Sequence, residues 1–181
     1  MTMSATSTPV STPTRLLTIR PATPADLPAV AGLLTAAALP TADVAALFAA
    51  RAHDFLVADD TEQSGALVGV AGLEVCCGES PHPTALLRSV AVRDDWRAHG
   101  VGRELVRRLV CVAEARGLRA LYLLTMTAEH YFPQFGFQPV ARGAVPPEIA
   151  ATLEFRSACP ASAVAMARPL AGVAPDVAAD A

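Results

Sequence analysis

An apolar run, Leu87-Arg88-Ser89-Val90-Ala91-Val92, is separated by a short polar loop from a strongly periodic segment, Val101 to Arg116. In that segment Val101, Leu105, Leu109 and Val112 fall on one face, while Arg103, Glu104, Arg107, Arg108 and Glu114 take the other. This is the pattern of an amphipathic helix lying on a core. The loop ends in Arg97-Ala98-His99-Gly100-Val101-Gly102. Two glycines one residue apart let a backbone turn sharply and approach a ligand closely. The helix starting there offers unpaired N–H groups and the positive end of its dipole, so strand, loop and helix together predict a phosphate cradle. Arg97 adds a fixed positive charge, with His99 and Arg103 as further candidates.

The rest of the chain reads as one domain around this unit. Strands are expected at Leu16–Arg20, Phe55–Ala58, Ala66–Cys77, Ala85–Val92, Ala120–Leu124, Phe137–Val140 and Ser162–Ala167. Thr23, followed by Pro24 and Asp26, starts a helix running to about Ala38. Thr41 and Asp43 start a second, reaching about Ala52. Thr127 is expected to cap a short helix over Ala128–Phe135, which Gly136 stops, and Pro146–Thr152 reads as a further helix. The predicted fold class is α/β (α+β), a mixed sheet with helices packed against it. Residues 15–170 form the predicted domain, and 1–14 and 171–181 read as loose tails.

Charge narrows the ligand. The 14 basic and 17 acidic residues leave a net charge of −3, against the basic excess that nucleic-acid binding needs. The basic residues nevertheless cluster between Arg88 and Arg119, a local patch suited to a phosphate-bearing ligand. Met1 to Thr14 has neither the basic nor the apolar region of a signal peptide, and Pro40 and Asp43 interrupt the Ala-rich stretch 29–50, so a cytoplasmic, non-membrane protein is expected. Cys76, Cys77, Cys111 and Cys159 read as free thiols, with a soft-metal- or arsenic-binding vicinal pair at 76–77 as the alternative.

The strand 87–92 followed by R-x-x-G-x-G resembles the acetyl-CoA-binding motif of the GCN5-related N-acetyltransferase (GNAT) family. Ala128-x-x-Tyr131-Phe132-x-x-Phe135-Gly136-Phe137 is similar to a second segment of that family. The resemblance spans roughly Thr18 to Ala167. It implies a GNAT-like fold with a mostly antiparallel central sheet, acetyl-CoA as co-substrate and no metal. Carried over, it implies that the backbone of Val90, Ala91 and Val92 holds the acetyl carbonyl and pantetheine arm. The amides of Arg97, Ala98, His99, Gly100, Val101 and Gly102 would hold the pyrophosphate, assisted by Arg103, and Phe132 would pack near the thioester. The family often has Tyr where this chain has Phe132. Tyr131 is offset from that position by one residue, about 100° around a helix, and is the candidate acid for the leaving thiolate.

A proton acceptor for the attacking amine is sought among carboxylates in apolar surroundings. Glu74, inside an otherwise apolar strand, is the candidate, and burial would raise its pKa unless it is paired. Because side chains alternate along a strand, Arg88 is expected to share a face with Val90 and Val92 and to point at the acetyl site. A guanidinium there suits a substrate carboxylate, so Glu74 and Arg88 together would recognise an amino acid; the alternative is that they pair with each other. Stretches 123–129, 136–140 and 159–164 look like bacterial GNAT proteins associated with arsenic resistance, which would imply an acidic organoarsenical or phosphinic amino acid as acceptor. The loop around Arg156, Ser157 and Cys159 is a candidate lining of the acceptor pocket. The expected activity is acetylation of a small amine. The alternatives are acetylation of a protein N-terminus or lysine, and an acyl-CoA-binding module without turnover. The resemblance also permits a homodimer.

Overall fold

The computed structural model describes residues 16–62, 65–79 and 83–170. The expected tails, 1–14 and 171–181, lie outside the described residues, as does residue 15 of the expected domain. Seven strands make one sheet: β1 (Leu17–Pro21), β2 (Phe55–Asp60), β3 (Ala66–Cys76), β4 (Thr84–Val92), β5 (Ala120–Thr125), β6 (Gln138–Pro139) and β7 (Val164–Pro169), in the order β1-β2-β3-β4-β5-β7-β6. Every neighbouring pair is antiparallel except β4 with β5. This is the mixed, mostly antiparallel sheet expected from the sequence.

Strand alternation gives the sheet two apolar faces. Leu56, Ala58, Ala85 and Leu87 belong to a cluster with Val101, Leu105 and Leu109 of helix α3 (Val101–Ala115). Phe55 and Val57 turn the other way, against Val30 and Leu34 of α1 (Leu27–Ala36) and Phe48 of α2 (Val44–Arg51). Leu86, on that second face, packs on Ile149 of the short α4 (Pro147–Ala150) and on Phe155. The helix stripe 101, 105, 109 is buried as its periodicity requires, and Val112 is half-buried at its margin. The arrangement is three layers, with the sheet in the middle.

Neighbouring strands meet closely at Gly72 of β3, which pairs in register with Phe55 of β2. A Cβ there would lie 2.3 Å from the Phe55 ring, so the aromatic packs on bare backbone. Gly72→Ala is expected to destabilise by about 2 kcal/mol, within the usual cost of overpacking. Denaturant unfolding checks this, and an unchanged midpoint would mean that the ring moves aside freely.

Several local expectations are corrected. The first helix begins with a 3-10 turn, Pro24–Asp26, where the Asp26 carboxylate accepts from the Thr23 N–H at 2.7 Å and from Arg20 of β1 at 2.8 Å. The helix expected over 128–135 is a turn followed by a 3-10 segment, Phe132–Phe135, whose second residue is Pro133. Its entry is held by Thr125, whose hydroxyl accepts from the Ala128 N–H at 2.9 Å, and not by Thr127. A π-helical turn, Glu154–Ala158, follows α4 and had no counterpart in the sequence reading. No described helix is long and apolar enough to cross a membrane.

Candidate active site

β4 and β5 pair only at Ala85–Leu121 and Leu86–Tyr122. Beyond that point a cavity of about 1020 Å³ separates them, lined on one side by Arg88 to Val92 and on the other by Leu124 to Ala128. The volume is at the upper end of the usual small-molecule range of about 300–1,000 Å³. The loop before α3, residues of the π turn and Ala37 to Pro40 between α1 and α2 complete its lining.

A β-bulge shapes the strand that lines the cavity. Val70 pairs with Ala91 and Gly72 with Arg88, so Ser89 and Val90 together oppose Ala71. Ser89 has φ of 57°, a left-handed conformation that non-glycine residues rarely adopt. The extra residue shifts the alternation by one. Val90 and Val92 therefore pack on the α3 face, whereas Ala91 joins the α1–α2 face. Arg88, in phase with Leu86, also lies on the second face. The expectation that Arg88 shares a face with Val90 and Val92 is corrected, because it assumed an unbroken pleat.

At the loop, Ala98 (φ 62°) and Gly100 (φ 79°) are both left-handed. Gly100 is the N-cap of α3, and no side chain caps that end. An added Cβ on Gly100 meets nothing within 4 Å, so the space beside it is open. One on Gly102 would lie 3.3 Å from the Tyr131 hydroxyl, which places that hydroxyl over the first turn of α3. Arg97, Ala98, Gly100, Val101, Gly102 and Arg103 line the cavity. His99 is not among the lining residues; its Nδ1 lies 2.8 Å from the Arg97 carbonyl oxygen. Arg97 pairs with Asp94 at 2.8 Å, on a 3-10 turn whose Trp96 is buried in the α3 cluster. Open space and an uncapped helix end fit a pyrophosphate.

Phe132 is buried, lines the cavity and meets the Phe137 ring edge-on at 5.9 Å. Tyr131 is half-buried, and desolvation raises its pKa, with Arg103 opposing the shift. The phenol is therefore protonated, a donor, at neutral pH.

Arg88 is 2% exposed. Its two amino nitrogens grip Asp43 at 2.7 and 2.6 Å, and Nη1 also donates to Glu74 at 2.5 Å. Its Nε lies 3.3 Å from Glu154 Oε2, without a hydrogen bond on either atom. One guanidinium thus faces three carboxylates, from β3, from the N-cap of α2 and from the π turn. Glu74 and Arg88 are brought together as an ion pair, and Glu74 is not a lining residue of the cavity, whereas Arg88 and Glu154 are. Burial holds the Glu154 carboxyl above its usual range, and Arg88 pulls it back. Sequence reasoning missed Asp43 and Glu154 as site residues; Asp43 was legible only as a helix start, and Glu154 carried no signal.

The cysteines are free. Desolvation pushes the Cys76 thiol up to about 12 and the Cys159 thiol up to about 11, so neither is an ionised nucleophile at neutral pH. Cys159 lines the cavity, while Arg156 and Ser157 are exposed and do not. Among the described residues, no three His, Cys, Asp or Glu side chains are grouped to hold a metal ion.

Comparisons with known proteins agree with this geometry. Residues 51–139 match the family model of the acetyltransferase (GNAT) domain. The chain is 35% identical over 82 residues to an amino-acid acetyltransferase of Ectopseudomonas mendocina, covering 43% of this chain and 17% of that protein. It is 45% identical over 60 residues to a mycothiol acetyltransferase of Thermobifida fusca, covering 33% of this chain and 17% of the relative. The chain thus spans under a fifth of the length of these curated relatives. Rv2747 of Mycobacterium tuberculosis, solved in complex with CoA, shares the fold with a TM-score of 0.70 and 25% identity, over 84% of this chain and 99% of that one. Loop, splayed strands and family match converge on an acetyltransferase (GNAT) domain over residues 51–139 of this chain.

Proposed function

We propose that the protein transfers the acetyl group of acetyl-CoA to the amine of a small, amino acid-like acceptor. The observation that carries this reading is the continuous cavity joining the amide cradle at Gly100 to the buried cluster around Arg88. A phosphate-bearing co-substrate entering at one end meets an amine entering at the other. Bound acetyl-CoA supplies an acetyl thioester.

The first-turn amides of α3, with Ala98 and Gly100, hold its pyrophosphate. The β4 edge at Val90, Ala91 and Val92 positions the acetyl carbonyl and the pantetheine arm. Phe132 covers the thioester and excludes water. Tyr131, above Gly102, donates to the arm; the thiolate takes its proton from the amine or from water, since CoA leaves tolerably without help. The amine nitrogen attacks the acetyl carbon as the carbon–sulfur bond breaks.

The amino acid-like acceptor draws support from the amino-acid acetyltransferase relatives. Asp43 and Glu74 engage both amino groups of Arg88, so an acceptor carboxylate would compete with these two carboxylates for that guanidinium. The narrowest version, an acidic organoarsenical or phosphinic amino acid, rests on the likeness of stretches 123–129, 136–140 and 159–164. An acyl-CoA-binding module without turnover is the second reading, favoured by Phe132, which offers no hydroxyl at the thioester.

The test is CoA-thiol release from acetyl-CoA with glutamate, glutamine, phosphinothricin, arsinothricin, simple alkylamines and a lysine peptide. Release with a small amine is expected. Tight acetyl-CoA binding with no release from any of them would favour the binding module, and release with the peptide alone would favour protein acetylation.

A further inference from the structure

We propose that Glu154, and not Glu74, receives the proton of the acceptor amine, and that the cluster around Arg88 selects acceptors that enter as ammonium ions. The inference rests on the acetyl-transfer reading above and names the proton acceptor and charge class of that same site.

Three observations carry it. Glu154 lines the cavity, but the residue is only 7% exposed. Its Oε2 is buried, lies 3.3 Å from Arg88 Nε and has no hydrogen-bond partner among the described residues, so what exposure remains lies away from that atom. Its Oε1 has as its hydrogen-bond partner the Cys159 thiol, a weak donor, at 3.8 Å. A buried carboxylate this poorly satisfied is costly, and the cost falls when a cationic donor arrives. Glu74, by contrast, is committed to a 2.5 Å charge-assisted bond with Arg88.

The charges point the same way. The groups facing Glu154 are Arg88 of β4, Asp43 before α2, Glu74 of β3 and the Cys159 thiol. With all three carboxylates ionised the cluster carries one positive and three negative charges. Arg88 spends its two amino groups on Asp43 and Glu74 and turns only Nε toward Glu154. The excess negative charge therefore lies at the cavity wall beside the π turn. An ammonium group is attracted there; a carboxylate is repelled.

Protons and electrons balance as follows. The ammonium gives one proton to Glu154 Oε1, directly or through one water. The freed lone pair forms the nitrogen–carbon bond, and the carbon–sulfur pair leaves on sulfur. The second nitrogen proton goes to that thiolate, and Glu154 returns its proton to solvent. Burial matters because a carboxylate lifted above its usual range is a stronger base than an exposed one.

The experiment compares wild type, Glu154→Gln, Glu154→Asp and Glu74→Gln in the CoA-release assay across pH. Glu154→Gln should keep acetyl-CoA affinity within about twofold, lose at least about 100-fold in kcat/KM and lose the acidic limb of the profile. Glu154→Asp should recover part of the rate with a shifted limb. Glu74→Gln retaining the wild-type limb supports the proposal; Glu74→Gln losing it while Glu154→Gln keeps it overturns it. The Glu154 carboxyl resonance of the labelled, acetyl-CoA-bound wild type gives a readout independent of turnover. It should titrate above the ordinary carboxylate range and move down when n-butylamine is added. An ordinary titration, or one indifferent to the amine, overturns the inference even if a variant fails to fold. A wild type that releases no CoA with any amine sinks the transferase reading instead, and the resonance still decides the role of Glu154.

Discussion

Gly100→Trp is expected to weaken acetyl-CoA binding by at least about 100-fold, or about 2.8 kcal/mol, while leaving the chain folded. Nothing lies within 4 Å of an added Cβ at Gly100, so the indole has room to leave the backbone without a clash. The room it takes is the cradle, since Gly100 lines the cavity and begins α3. A left-handed φ of 79° adds strain of about 1–2 kcal/mol for a side chain there, too little to unfold an ordinary domain. Calorimetric titration with acetyl-CoA, run beside thermal unfolding, separates the two effects. Normal affinity in a folded variant would remove the loop from the co-substrate site.

The second large effect concerns Arg88. Arg88→Met leaves Asp43, Glu74 and Glu154 around a neutral side chain, and breaking a buried pair from one side costs about 3–5 kcal/mol. The pH dependence identifies the cause. Without the guanidinium that pulls it back, burial holds the Glu154 carboxyl further above its usual range, so the folded state favours its protonated form more than the unfolded chain does. A carboxyl with a raised folded pKa destabilises once ionised, so stability should fall as pH rises through the carboxylate range. The deficit of Arg88→Met should therefore be largest at neutral pH and shrink below about pH 4, near the ordinary carboxylate range. Adding Glu154→Gln should return part of the loss, because one of the three charges is gone. A deficit constant with pH would reduce Arg88 to packing. This expectation replaces the one the sequence suggested, a selective effect on carboxylate-bearing acceptors.

That difference shows what was legible in the residues and what was not. The stripe Val101, Leu105, Leu109 revealed α3, because helical burial repeats locally. The loop 97–102 revealed the start of α3 and the open space beside it, because glycine spacing and a helix start are local as well. The orientation of Arg88 was not legible. It depends on a bulge at Ser89, and a serine in an apolar strand gives no sign of a left-handed backbone. Asp43 meets Arg88 across 45 residues of chain, a pairing that only the completed sheet creates. Glu154 sits in a π turn, where five-residue spacing hides both helical and strand periodicity. Pro133 turned the expected helix at 128–135 into a 3-10 segment, and with it moved the Tyr131 hydroxyl over Gly102. Local physics wrote the loop before α3; long-range packing wrote the cluster around Arg88.

The fate of the acetyl group tests the central claim most directly. The protein would be incubated with acetyl-CoA labelled in the acetyl carbonyl and with the best amine of the panel, and the label followed by mass spectrometry. Label on the nitrogen of the amine, in step with CoA thiol and lost in Glu154→Gln, is the predicted result. Label only in acetate, or left on CoA while the protein binds it tightly, would contradict the account.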